Sequence, residues 1–381
     1  MSLAPRHAIA AAYAGLFFGI GVYMPYFPVW LSGQGYDAGG IAFALAVPML
    51  VRLAAMPLGG VVADRTGRPR LTLVLYALAT AACFAAVALA PGPGLMLAAL
   101  GLSAVFWQPC LPVLDAYTVA RRREGLVDYG RVRLWGSLAF IGGNLAGGFV
   151  LSHLPADGAV WLIVAGSLAA ASACLLLTEA PLPASSVTRP AAPRLPAALI
   201  GGIVAAALIQ GAHAVLYALG SVHWRAGGLS DGVIGLLWAL GVLSEVVLFR
   251  FATRLTAWLG PMRLLLVGAV AGMVRFAAMA AEPSLGLLAG LQVLHAATFG
   301  CTYLGTVELV ARHAAEGRGA GTQAAAAWAT GLAMAGATLL AGPLWTAFGP
   351  GAYLLSVAMA GAGGMLALTL AGARQPLRAT P

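Results

Sequence analysis

Charge is scarce in this sequence. Only 9% of its residues are Asp, Glu, Lys or Arg, and lysine is absent, all 21 basic residues being arginine. With 61% apolar residues and a mean hydropathy of +0.91, that excludes an ordinary soluble domain, in which about a quarter of residues are charged. The missing lysines, in an Ala-, Gly- and Leu-rich background, reflect genomic bias and not chemistry. Cysteine is scarce as well. Cys83, Cys110, Cys174 and Cys301 fall in four different apolar stretches with no C-x-x-C spacing, which excludes a disulfide framework and a metal site. No H-E-x-x-H, G-x-S-x-G, Walker loop or paired-cysteine site occurs, so a membrane-embedded enzyme is the remote alternative and no catalytic residue is nominated. No loop is long enough to hold a soluble output domain. The net charge of +9 does not point to nucleic acid, because the arginines are scattered through short loops.

What the chain does have is long apolar runs. About 20 apolar residues cross a bilayer, and turn signals divide the sequence into twelve such pieces: 8–31, 38–63, 71–90, 94–120, 130–152, 158–179, 197–223, 231–253, 262–281, 284–311, 320–347 and 351–371. An all-α membrane protein with twelve transmembrane helices is therefore expected. The first run is longer than a signal-peptide core and is read as a retained helix. Residues 180–196, with prolines at 181, 183, 190, 193 and 196, read as a linker between an N-terminal bundle, 1–179, and a C-terminal bundle, 197–381. Alternate loops place every arginine except Arg52, Arg225 and Arg275 on one side. By the positive-inside rule that side is cytoplasmic and holds both termini.

Displaced by 193 residues, the chain matches itself: Arg52 falls on Glu245, Gly67 on Gly260, Arg70 on Arg263, Asp115 on Glu308 and Trp135 on Trp328. Charge on charge in so uncharged a chain indicates duplication of a multi-span unit. Two copies in one membrane protein is a transporter arrangement.

Charges inside apolar spans are the first functional candidates. One costs roughly 2.5 to 3.5 kcal/mol on insertion scales, so Arg52 in span two and Glu245 in span eight should face the interior and have partners. They form either a structural ion pair or a site that binds an anion or couples protons. In span seven Gln210, His213 and Tyr217 make a polar stripe at i, i+3 and i+7. Histidine titrates near neutrality and can carry a proton, although a hydrogen-bonded structural role is as good a reading. Arg275 in span nine calls for a carboxylate partner such as Glu308 or Glu245, and either neutralises it or takes part in proton coupling. Tyr23, Tyr26 and Trp30 read as an interfacial belt. Arg121, Arg122 and Arg123 read as topological anchors.

Five segments carry a family resemblance. Gly60-Val-Val-Ala-Asp64-Arg65-Thr-Gly67-Arg68-Pro-Arg70, in the short loop between spans two and three, resembles the signature loop of the major facilitator superfamily. Gly60, Asp64, Arg65, Gly67 and Arg68 are thus candidate gate residues, while the second copy has Ala257 in place of Asp64. Pro112-Val-Leu-Asp115-Ala-Tyr117, followed by Asp128-Tyr-Gly-Arg131-Val-Arg133-Leu-Trp135-Gly136, resembles the lactose permease branch and, more closely, the phenylpropionate permeases. Tyr23-Met-Pro25-Tyr-Phe-Pro28-Val-Trp30 and Gln210-Gly-Ala-His213-Ala-Val-Leu-Tyr217 are similar to the latter.

The resemblance implies the major facilitator fold, two pseudo-symmetric six-helix bundles around a central cavity, with spans one, four, seven and ten lining it. It further implies that Asp115 and Arg133 hold substrate and that Phe140 takes the place of a stacking tryptophan. An interhelical Asp115–Arg133 pair is the structural alternative. The proton-coupling His and Glu of lactose permease span ten are Ala311 and Ala314 here, and its span-eight acid is Val242. The expected function is a proton-coupled symporter that imports a small organic acid, aromatic by preference, across a bacterial-type inner membrane as a monomer. It would need no cofactor beyond the proton gradient. Substrate-binding candidates are Asp115, Arg133, Phe140, Gln210, His213, Tyr217 and Arg52; proton-coupling candidates are Glu308, Glu245, Arg275 and His213. A sugar or nucleoside symporter, or a proton-driven exporter, is the alternative on the same fold. Substrate contacts are expected in the first copy and proton handling in the second.

Overall fold

A computed structural model describes residues 5–153, 158–179, 195–314 and 319–372, without the side chains of Asp64 and Ala320. Most of the expected linker lies outside them. Every long element is a helix: α1 Pro5–Gly33, α2 Ala38–Thr66, α3 Pro69–Leu89, α4 Pro93–Arg123, α5 Tyr129–His153, α6 Gly158–Leu175, α7 Ala197–Ala226, α8 Asp231–Arg250, α9 Ala252–Ala280, α10 Leu285–His313, α11 Gly319–Phe348 and α12 Tyr353–Gly372. Among the described residues, eleven runs are long and apolar enough to cross a membrane, the last being the 52-residue stretch Gly321–Gly372. The twelve-span expectation splits that stretch in two. Within it a 3₁₀ turn at Gly349–Ala352, with Gly349 at φ 54°, separates α11 from α12.

The surface is apolar, as lipid requires: Trp258, Leu89 and Phe348 are each more than 60% exposed. Several buried hydroxyls are satisfied within their own helices. Thr80 donates to the Tyr76 carbonyl at 2.8 Å, and Thr302 and Thr306 to carbonyls four residues back at 2.7 Å.

The duplication recurs in the backbone. Gly67 ends α2 in a left-handed conformation, φ 61°, and Gly260, 193 residues on, has φ 66° before Pro261. Gly35 and Gly228 form a second such pair, φ 87° and 90°. Helix starts match too. Asp37 caps α2 by accepting the Gly40 amide at 2.7 Å, and Ser230 caps α8 by accepting the Val233 amide at 3.4 Å, again 193 residues on.

The copies differ in how they interrupt two helices. Residues Leu216–Gly220 of α7 and Ala296–Cys301 of α10 are π turns. In the first copy the matching depths carry prolines instead, Pro25 and Pro28 in α1 and Pro109 in α4. Proline and the π turn both break the i to i−4 ladder, so each pair of helices is interrupted at one depth by two devices.

Compactness groups the chain into two units. Unit 1 is Met1–Pro190 with Leu216–Val242 and Thr338–Thr346; unit 2 is Ala191–Val215, Leu243–Ala337 and Ala347–Pro381. The boundary expected from sequence follows the duplication, whereas these units divide α7, α8 and α11. Contacts inside unit 1 explain the grouping. The Tyr26 hydroxyl donates to the Asn144 carbonyl at 2.8 Å and to the Asp231 carbonyl at 3.1 Å, and Arg225 pairs with Asp231 at 3.3 Å. A Cβ on Gly235 would lie 2.5 Å from both the Asn144 carbonyl oxygen and the Tyr26 hydroxyl.

Asn144 itself is fully buried, and among the described residues neither its amide nitrogen nor its side-chain oxygen has a hydrogen-bond partner. Orphaned buried polar groups cost about 1–3 kcal/mol each. Asn144→Leu is therefore expected to raise the thermal unfolding midpoint of purified protein by about 2–4 °C, the shift that roughly 1 kcal/mol produces in a domain of this size. A lowered midpoint would show that these atoms are satisfied.

Candidate functional site

The densest buried polar cluster lies in unit 2, where α7, α8, α9 and α10 supply its side chains. Its centre is Arg275, 1% exposed. The guanidinium donates to Gln292 Oε1 at 2.8 Å, to the Thr298 hydroxyl at 3.2 Å and to His295 Nδ1 at 3.3 Å. On its far side the His295 ring places Nε2 3.5 Å from Glu245 Oε2. Thr298 Oγ1 lies 2.9 Å from His213 Nε2, and His213 Nδ1 lies 3.0 Å from the Gln210 carbonyl. The Gln210 amide donates to the Phe299 carbonyl at 3.4 Å, within the π turn, where the α-helical ladder is broken.

These partners assign both tautomers. A guanidinium only donates, so His295 Nδ1 is the acceptor and Nε2–H faces Glu245. A carbonyl only accepts, so His213 carries a proton on Nδ1; as a neutral ring it takes the Thr298 hydroxyl proton at Nε2, in preference to the His295 carbonyl 3.4 Å from the same hydroxyl. Both imidazoles are neutral in this arrangement, and the ionic groups of the network are Arg275 and Glu245. Exposure is graded across it. Thr298 and His213 are fully buried, whereas the side chains of His295 and Glu245 are 12% and 18% exposed. That pair is the network's open edge. Gln210 Oε1 and Gln292 Nε2 are buried without hydrogen-bond partners among the described residues, leaving an acceptor and a donor for a second arrangement.

Four residues selected from sequence, Gln210, His213, Glu245 and Arg275, thus meet in one network. Glu245 is joined to Arg275 through His295. Glu308 is not brought there: it accepts from Arg312 at 2.6 Å, an i,i+4 pair with both side chains partly exposed. Tyr217 leaves the expected stripe as well. It lies in the π turn of α7, within unit 1, its ring 5.6 Å from Trp238. Sequence reasoning missed Gln292, His295 and Thr298. Their signal was a polar residue at every third position of an apolar span.

Unit 1 holds the first-copy candidates. Asp115, half-buried on α4, accepts from the Tyr13 hydroxyl and from the Tyr129 hydroxyl at 3.1 Å. Arg133 does not meet Asp115 directly. Its guanidinium lies 4.1 Å from the Phe17 ring centre and 5.5 Å from that of Tyr13, so the Tyr13 ring bridges the two. Phe140 is buried in the α1–α5 packing, its carbonyl against Gly21. Arg52 is half-buried and makes no ion pair among the described residues.

Of the gate candidates, Gly60 and Arg65 lie in the last two turns of α2, Gly67 is its cap, and Arg68 precedes α3. The Asp64 side chain lies outside the described residues. The adjoining start of α3 is capped from a distance, the Glu179 carboxylate accepting the Arg70 and Leu71 amides at 3.2 and 3.3 Å. All four cysteines are free and buried, and no group of His, Cys, Asp or Glu among the described residues could hold a metal.

Comparison with known proteins places this arrangement. A family model described as "MFS_1 like family" matches residues 8–355. The chain is 30% identical over 325 residues to the "Probable 3-phenylpropionic acid transporter" of Escherichia coli (strain K12), covering 82% of this chain and 83% of that protein. It is 31% identical over 283 residues to the "Maltose permease" of Geobacillus stearothermophilus, covering 71% and 70%. Among solved structures, the nucleoside transporter NupG superposes with a TM-score of 0.81 at 14% identity, covering 97% of this chain and 99% of that one. A D-xylose-proton symporter gives 0.70 at 16% identity, covering 96% of each. The chain belongs to the MFS_1-like family of the major facilitator superfamily, and is a membrane transporter rather than an enzyme.

Proposed function

We propose that this transporter is a proton-coupled symporter that imports a small organic acid, aromatic by preference, by alternating access. The arginine-rich loops face the cytoplasm of a bacterial-type inner membrane, the monomer is the working unit, and the proton gradient takes the place of any cofactor. One observation carries the reading: a fully buried arginine is joined through a neutral histidine to a carboxylate at the network's open edge. Ionisable groups at such depth are expensive and mark proton or ion pathways. Protonating Glu245 would change the network from neutral to singly positive, the charge that a monocarboxylate cancels. The Escherichia coli relative supplies the chemistry of the acid.

A sugar symporter is the second reading. It draws on Asp115 with its two tyrosine donors and on the maltose permease relative. A thermal-shift screen of purified protein separates the two. Bound ligand at a hundred times its Kd stabilises by about 2.7 kcal/mol, and aromatic monocarboxylates are expected to raise the unfolding midpoint. Stabilisation by sugars or nucleosides and by no organic acid would overturn the proposal.

A further inference from the structure

Beside the open edge of the network stands a column of rings. His295 and Phe299 stack at 5.2 Å with 24° between planes, and Phe299 and Tyr303 at 6.5 Å with 4°. In a regular α-helix, residues four apart drift by about 40° around the axis, so three rings at i, i+4 and i+8 fan out. The wider π turn Ala296–Cys301 offsets that drift and draws the rings into register. From α8, Phe249 closes on Tyr303 at 6.0 Å. One turn back from Phe249 on the same helix is Glu245. The two helices meet at Gly300, where a Cβ would lie 3.1 Å from Leu248 Cδ2 and 3.7 Å from Glu245 Cγ and Phe249 Cε1.

The exposure gradient gives this column a direction. Arg275 is sealed beneath it, Phe299 and Phe249 are half-buried, and Tyr303 is 46% exposed. Resting on the acid-transport reading above, we propose that the Phe249–Phe299–Tyr303 wall seats the ring of an aromatic monocarboxylate whose carboxylate is held at the His295–Glu245 edge. A short tether between ring and carboxylate spans one step of the column.

Among the described residues, the ionisable groups placed around this edge are His213 from α7, Glu245 from α8, Arg275 from α9, His295, Cys301 and Tyr303 from α10, and Tyr353 from α12. With neutral histidines, tyrosines and thiol, Arg275 and Glu245 cancel. One proton on the Glu245–His295 pair leaves a single positive charge, and one carboxylate restores neutrality. A like-charged carboxylate beside ionised Glu245 is repelled, so the acid is seated with its proton. The expected stacking residue thereby moves from Phe140, enclosed between α1 and α5, to the second copy.

The test compares two acids that differ only in the ring. Competition by 3-phenylpropionate and by 3-cyclohexylpropionate is measured in proteoliposomes against uptake of labelled 3-phenylpropionate. Aromatic pairing contributes about 0.5–1.5 kcal/mol beyond area burial, a factor of about 2–13 in affinity. Phe299→Leu and Tyr303→Leu should each reduce the preference for the aromatic acid by that factor, with protons moved per acid unchanged. Tyr303→Phe should keep the preference, as should Phe149→Leu at an exposed site in unit 1. Equal weakening of both acids, or an unaltered ratio in both leucine variants, overturns the inference. Competition by neither acid in the wild type would instead overturn the acid-transport reading, and the ring seat with it.

Discussion

Replacing Glu245 by glutamine is expected to lower uptake driven by an imposed pH gradient by roughly two orders of magnitude, the scale on which loss of a proton-transferring group is felt. Exchange of internal for external acid should survive. The reason is the position of Glu245 at the one edge of the Arg275 network that is partly exposed, 3.5 Å from His295 Nε2. Glutamine keeps the shape and a hydrogen-bonding oxygen but fixes the network in its singly positive state. That state binds an anion at any pH and has no proton to release. Glu308→Gln serves as the contrast. Its carboxylate is paired with Arg312 at the helix surface, and exposed pairs are worth about 0–1 kcal/mol, so gradient-driven uptake should stay within a factor of about five. Parallel uptake measurements under a pH gradient, with counterflow as the exchange assay, check both. Loss of gradient-driven uptake in Glu308→Gln alone would move the proton site to α10.

Gly235→Val should cut transport by roughly 5- to 150-fold while leaving the protein folded. A Cβ at this position has no room between the Asn144 carbonyl and the Tyr26 hydroxyl, and a branched side chain has less. Overpacking costs about 1–3 kcal/mol, which the protein can avoid by giving up the Tyr26–Asn144–Asp231 contact. Charged to one state of a cycle, that energy shifts populations by the factor above. Labelling reports the shift. A cysteine at Asn144, fully buried here, should resist a water-soluble maleimide in the parent and react once Gly235 is valine. Normal transport and no labelling would show that α5 and α8 do not part at this point.

The duplication was the most legible feature of the chain, because it is written in residues whose backbone demands are strict. Gly67 and Gly260 were paired by sequence and share a left-handed conformation, as do Gly35 and Gly228. Helix identity followed equally from apolar run length. The π turns were not legible. Where the first copy marks its interruptions with Pro25, Pro28 and Pro109, the second has no signature residue at 216–220 or 296–301. Side-chain partners that depend on those turns were hidden with them. His295 was not singled out in its apolar span, and Tyr217 looked collinear with His213. Spacing also says nothing about what lies between two charges. A direct Asp115–Arg133 pair was the structural alternative to a shared role on substrate, and the Tyr13 ring lies between the two, donating to one and stacking with the other.

The central claim, one proton moved inward with each molecule of organic acid, is tested most directly in proteoliposomes at equal pH and zero membrane potential. A pH dye inside is read while labelled 3-phenylpropionate is added outside. The account predicts that the lumen acidifies as acid enters, that an imposed inward proton gradient drives the acid above its outside concentration, and that Glu245→Gln abolishes both effects. Equilibration of the acid without accumulation or acidification would contradict it, as would accumulation of a sugar or nucleoside in place of the acid.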